Sequence, residues 1–302
     1  FIIGYKNNSG YYPMSPTLPP EADVAGSLPV VIDANLTRFP DFGDETLADA
    51  ERDLGRNGTF LVLRELKQDV EGFHAFAEKA AEELNAGAYQ DLYTVIGQKP
   101  DADWIKAKMM GRWQDGRPLI GNPVNNDPEA SPDPKEREND FAFGSDDPQG
   151  LACPFGSHIR RTNPRDSKHP GDEAEQIVSN RHRLLRRGRP YVRKGTGEKG
   201  LLFASIGTDI ERQFEFVQQF WSNAPAFHGL DNEPDPIIGS DSVCTSTEEA
   251  RPRYFSIPTP VGPIRLEGLQ NFVETKGGGY FFLPGKQALG WLAEQPAGVI
   301  GM

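Results

Sequence analysis

The chain has 302 residues, 37% of them hydrophobic, with 44 acidic and 32 basic side chains and a formal charge of −12. That length permits one large domain or two modest ones, and the acidic balance disfavours a general nucleic-acid binder. No apolar run approaches the roughly 20 residues needed to cross a bilayer, and two cysteines, Cys153 and Cys244, do not make a disulfide scaffold. The composition suits a soluble protein, with the compartment, cytoplasmic or secreted, left open. The chain opens at Phe1 rather than Met, so its natural start is expected upstream.

The first forty residues are rich in Pro, Gly and Asn and read as an irregular approach over the surface. This suggests a division into residues 1–50, an approach or the remnant of a preceding domain, and residues 51–302, the main domain. Residues 59–66 alternate as a strand, and residues 70–84 carry the apolar stripe of a helix through Val70, Phe73, Phe76, Ala77 and Ala80. His74 lies beside that stripe and reads as structural. Residues 121–150 hold eight acidic and two basic side chains among several Pro and Gly, and form a long acidic excursion.

Farther on, residues 200–206 read as a second strand, and Asp209 is placed to cap a helix running through Phe214, Phe216, Val217 and Trp221. Residues 279–283 supply another strand before a helix over 288–292. Strand and helix pairs at this spacing predict an α+β fold, with ferredoxin-like antiparallel sheets and packed helices.

The chemistry concentrates in two stretches. Cys153-Pro-Phe-Gly-Ser-His158-Ile-Arg160-Arg161-Thr-Asn-Pro-Arg165 sets one histidine against a cationic cluster, and Leu185-Arg186-Arg187-Gly-Arg189-Pro-Tyr191 follows it. Imidazole is a common metal donor, but an isolated histidine is more often packed or hydrogen-bonded. The arginines suit phosphate, carboxylate or a neighbouring acidic face equally well.

Taken with Phe1-Ile-Ile-Gly-Tyr5, Met110-Gly-Arg-Trp-Gln-Asp-Gly-Arg-Pro-Leu119, Asp209-Ile-Glu-Arg-Gln-Phe-Glu-Phe216 and Gly277-Gly-Gly-Tyr-Phe-Phe-Leu-Pro284, these stretches resemble the C-terminal, larger part of the dye-decolorizing peroxidases. The resemblance implies a duplicated ferredoxin-like fold, a haem b cofactor (iron protoporphyrin IX), and use of hydrogen peroxide to oxidise dyes, phenols or other bulky organic donors through a ferryl state. It makes His158 the proximal iron ligand. It makes Arg186 the distal arginine, stabilising negative charge as the peroxide O–O bond breaks, with Arg187 and Arg189 as alternatives facing solvent or a propionate. Asp235, in Glu233-Pro-Asp-Pro-Ile-Ile-Gly239, is the candidate acceptor for the second imidazole nitrogen of His158. Asp209 and Asp241 are its alternatives, and a plain Asp/Pro turn explains the same residues. Arg160, Arg161 and Arg165 are candidates to meet the propionates, or surface ion pairs. Tyr191 and Trp221 are eligible to conduct electrons, with packing as the default role of each.

One departure matters. The family's distal aspartate sits in a Phe-Gly-Phe-x-Asp-Gly type motif upstream of the stretch resembling Phe1 to Tyr5, and these residues contain no match to it. Asp115-Gly116 belongs to a different block. A missing N-terminal segment or a companion chain is therefore expected to supply the proton-transfer group. The alternatives are a catalytically incomplete haem-binding chain, a partner-dependent component, or another haem-transforming enzyme.

Overall fold

The structure is a computed structural model, and it describes residues 1–7, 10, 12–31, 51–87, 92–123, 139–167, 173–240 and 253–296. Cys244, Asp241 and part of the acidic excursion lie outside the described residues.

The organising element is a four-stranded antiparallel sheet built from β3 (Thr59–Gln68), β4 (Leu185–Val192), β5 (Lys199–Gly207) and β8 (Val273–Leu283), in the order β4-β5-β3-β8. A two-residue pair, β1 (Thr17–Leu18) with β2 (Arg52–Asp53), precedes it. A hairpin of β6 (Tyr254–Ile257) and β7 (Ile264–Glu267) precedes β8. Helix α1 (Val70–Ala86) follows β3, and a wide-turn, π-type helical stretch over Glu211–Glu215 and Val217–Ser222 follows β5. The order strand, helix, hairpin, helix, strand, with the first strand beside the last, is the ferredoxin-like βαββαβ arrangement.

Local chemistry explains the boundaries. The Asp69 carboxylate accepts the Gly72 N–H at 2.9 Å and caps α1 where the apolar stripe begins. Asp209 accepts the Arg212 N–H at 2.9 Å, as a helix cap should, and Gln213 reinforces that start by accepting the Thr208 N–H at 2.8 Å. Helix α2 spans Leu92–Ile96. Helix α3 (Ala102–Met110) ends at Gly111, which has φ +91° and leaves room where a Cβ would meet Ile159 at 2.4 Å.

The main core lies between α1, α3 and the β6–β7 hairpin, and includes Ala77, Leu84, Trp104, Met109, Phe143, Cys153, Phe255, Ile264 and Phe272. A second cluster joins Val217, Trp221 and Phe227, and a third sets Leu28 against Ala288 and Trp291 of α7 (Lys286–Glu294), with α4 (Phe143–Asp146), α5 (His158–Thr162) and α6 (Glu173–Arg181) between α3 and β4. The opening residues do more than cross the surface. Ile3 is fully buried, and its N–H and C=O bond to Gly58 and Asn57.

The two faces of the sheet differ. Register places Arg186, Ser205, Val62 and Tyr280 in one row. That face is covered by the π-type stretch, since Phe214 packs against Phe203, Arg64 and Tyr280. The other face carries the row Leu185, Ile206, Leu61 and Phe281, and there Leu185, Leu202, Phe281 and Leu283 are 39–51% exposed.

Candidate functional site

His158 opens α5, a single short helix whose entry is rigidly held. The Ser157 hydroxyl donates to the Lys108 carbonyl, and Asp147 accepts the N–H groups of Ala152 and Cys153 at 3.0 and 2.8 Å. Lys108, on α3 and 2% exposed, donates its ammonium to the carbonyls of Leu151 and Ala152. Burial pulls its pKa down to about 8, against the opposing charges of Cys153 and Asp147. Burial pushes the Cys153 thiol up to about 11, which makes it an inert core side chain.

The sequence puts His158 and Asp235 77 positions apart, and the fold closes that distance: His158 Nδ1 lies 2.9 Å from Asp235 Oδ2. Asp235 is at 0% exposure, whereas the His158 side chain is 24% exposed. The other carboxylate oxygen accepts the N–H groups of Ile237 and Ile238. Burial by itself raises the Asp235 pKa, but the His158 and Arg161 charges and these hydrogen bonds outweigh it, so the group is held below the ordinary aspartate value. An ionised Asp235 accepts from Nδ1–H, which leaves the Nε2 lone pair for another partner. Gly239 makes the Asp-Pro turn possible, since a Cβ there would stand 2.5 Å from the Asp235 carbonyl oxygen.

The arginines part company. Arg160 and Arg161, candidates to meet propionates or form surface ion pairs, are both at 0% exposure, and their donors are directed to groups of the protein itself. Arg160 donates to Asp147, to the Cys153 carbonyl and to Ser167, between the rings of Phe143 and Phe155. Arg161 donates to the carbonyls of Trp221, Glu233 and Ala224. Buried guanidinium groups must be satisfied internally, and these are. Arg165 is half-buried over the Phe141 ring and donates to the Asn139 and Phe141 carbonyls.

Arg186 has a different setting. It is exposed on edge strand β4, on the sheet face that the π-type stretch covers, while Arg187 and Arg189 project from the opposite face. Helix α5 packs against the same π-type stretch through Arg161. Asp209 is occupied as a cap. Asp115 is engaged by Arg117 across the Gly116 turn. Trp221 is 4% exposed and packs edge-on against His182 and Phe216. Nothing in the residue pattern announced Lys108 or Asp147, because the carbonyls and amides they satisfy belong to the main chain.

Among the described residues, no three His, Cys, Asp or Glu side chains come together as metal donors. An iron held by a porphyrin takes four donors from the ring and needs only one imidazole. Among the same residues no helix is long and apolar enough to cross a membrane.

The profile of the C-terminal region of Dyp-type peroxidases matches residues 134–228. Peroxidase 2 of Mycetinis scorodonius is 33% identical over 78% of this chain and 46% of its own length. The dye-decolorizing peroxidase of Exidia glandulosa is 31% identical over 77% of this chain and 44% of its own. The chain belongs to the dye-decolorizing peroxidase family. A variant of the Pleurotus ostreatus dye-decolorizing peroxidase superposes with a TM-score of 0.61 at 30% identity, over 80% of this chain and 52% of that one. The chain thus spans about half the length of the dye-decolorizing peroxidases it matches.

Proposed function

We propose that this chain is the iron-ligating part of a haem-dependent peroxidase, which uses hydrogen peroxide to oxidise dyes, phenols or other bulky organic donors. The observation that carries the reading is the contact between His158 and the fully buried Asp235 at 2.9 Å. A carboxylate on Nδ1–H fixes the ring, selects the tautomer and raises the basicity of Nε2, as a histidine that would hold a haem iron requires. The donor set therefore fits haem b: His158 Nε2 would hold the iron, and Arg165, less buried than Arg160 and Arg161, is the remaining arginine of its block for a propionate. When bound, the haem would supply the redox chemistry of peroxide reduction.

The protein's own groups then divide the work. His158 keeps its ring oriented because Asp235 cannot move away from two main-chain N–H donors. Arg186 would offer a permanent cation to the oxygen that gains charge as the O–O bond breaks, with no proton of its own to give up. Proton transfer needs a separate acid–base group. We assign it to a missing N-terminal segment or a companion chain, and assign turnover to the whole protein. The open sheet face supports this assignment, since four large apolar side chains stand 39–51% exposed there and invite a cover.

The test is haem uptake and peroxide-dependent dye oxidation by the full-length protein and its His158→Ala variant. The reading expects a Soret band and turnover in the first, with loss of turnover and an altered Soret band in the second. An unchanged spectrum and rate in the variant would sink it.

A further inference from the structure

Helix α5 presents His158 and Arg161 at positions i and i+3, which lie on one side of a helix. Both address the same loop. Three of its carbonyls converge on one guanidinium: Trp221 accepts from Nε at 2.8 Å, Glu233 from Nη1 at 2.7 Å and Ala224 from Nη2 at 2.5 Å. The Phe227 ring lies 4.8 Å from the guanidinium carbon. Between these anchors the chain is irregular, with His228 and Asn232 at positive φ of 53° and 54°, a conformation that surrounding contacts must maintain. Two residues past Glu233 stands Asp235, whose N–H donates to the Ser222 carbonyl at 2.7 Å and whose carbonyl accepts from Arg253 at 3.0 Å. The loop therefore closes on itself, and Arg161 ties both of its ends to the helix that carries His158.

We propose that Arg161 is the positioning residue of the axial site: its three-way fork holds the loop from Trp221 to Asp235, and so sets the Asp235 carboxylate on His158 Nδ1. The role rests on the reading of His158 as the iron donor. It depends on fork geometry more than on charge. A lysine ammonium has a cation and three donors but no planar fork that spans carbonyls from three separate residues.

The experiment uses the haem-loaded full-length protein. The iron–histidine stretch of its ferrous state, read by resonance Raman, reports how firmly the Nδ1–H is held. Arg161→Lys keeps the charge and loses the fork, and Arg161→Met loses both. Both are expected to move the stretch to lower frequency, toward Asp235→Asn, and to lower kcat/KM for peroxide about tenfold or more. His158→Ala should abolish the band. A wild-type stretch in Arg161→Lys overturns the inference and leaves the His158 reading standing, whereas a band that survives His158→Ala overturns both. Should the Arg161 variants fail to fold, amide exchange in the wild-type protein decides. One clamp predicts that the Asp235 and Arg161 amides open together, with protection within about tenfold of each other. An Asp235 amide that exchanges faster than that margin overturns the role.

Discussion

Arg160 and Arg161, beside His158, are at 0% exposure and satisfied by carbonyls, a carboxylate and a hydroxyl of the protein itself. Arg186, Arg187 and Arg189, on edge strand β4, are all exposed. Two arginine-rich stretches of similar composition thus do opposite things. Around His158, the cost of burying charge holds the charged groups in one arrangement, because an unsatisfied charged donor there would destabilise the fold. Along β4, register alone chooses which arginine shares the covered face, and solvent accepts the others. The surroundings of His158 are held by buried hydrogen bonds, whereas β4 carries its arginines exposed.

Substitutions in the two regions should therefore differ in what they disturb. His158→Ala removes the only nitrogen assigned to the iron, and dye oxidation by the full-length protein should fall to the haem blank. Arg186→Leu should lower kcat by about 10²–10³-fold while leaving stability within about 0.5 kcal/mol, because the side chain is exposed. A large drop in melting temperature would place Arg186 in the structural network instead. Asp235→Asn should lower turnover by about 10–100-fold, and Asp235→Ala should also destabilise the fold by about 3 kcal/mol, because His158 and the Ile237 and Ile238 amides lose their acceptor. Denaturant titration separates the two effects. As a carboxylate held below the ordinary value of 3.8, Asp235 contributes stability that is present above that value and lost as acid protonates it.

The smallest effect on turnover is expected at Lys108, which touches no reacting group and acts on stability. Its folded pKa of about 8 lies below the 10.5 of the unfolded chain, so between these values the unfolded state binds the extra proton and stability rises with pH. The gain amounts to about 3 kcal/mol across the window. Lys108→Met should remove this rise, read as the difference between the two proteins' melting curves at each pH. An identical pH slope in both would mean that Lys108 is not desolvated.

Much of the fold was legible, and the failures have physical causes. The strand expected over 59–66 is observed as Thr59–Gln68, and the helix begins at Val70 as its apolar period requires. Asp209 caps where it should. Strand β4 was hidden, because Gly188 and Pro190 among three arginines argue against a strand; the sheet tolerates them because β4 is an edge. The π-type stretch carries no periodic signal that separates it from an α-helix. At the site, His158 and Asp235 were both nameable, but only the fold could bring them together and leave Asp209 elsewhere. The inward turn of Arg160 and Arg161 was not legible, since charged residues are seldom fully buried. Their acceptors are mostly main-chain carbonyls, which any sequence has.

The proposed binding of haem iron by His158 Nε2 is open to chemical complementation. Full-length His158→Gly is titrated with haem, followed by the Soret band, with and without added imidazole. The variant alone should show an altered band, and imidazole should restore the wild-type spectrum. A variant whose spectrum already matches the wild type without imidazole would contradict it.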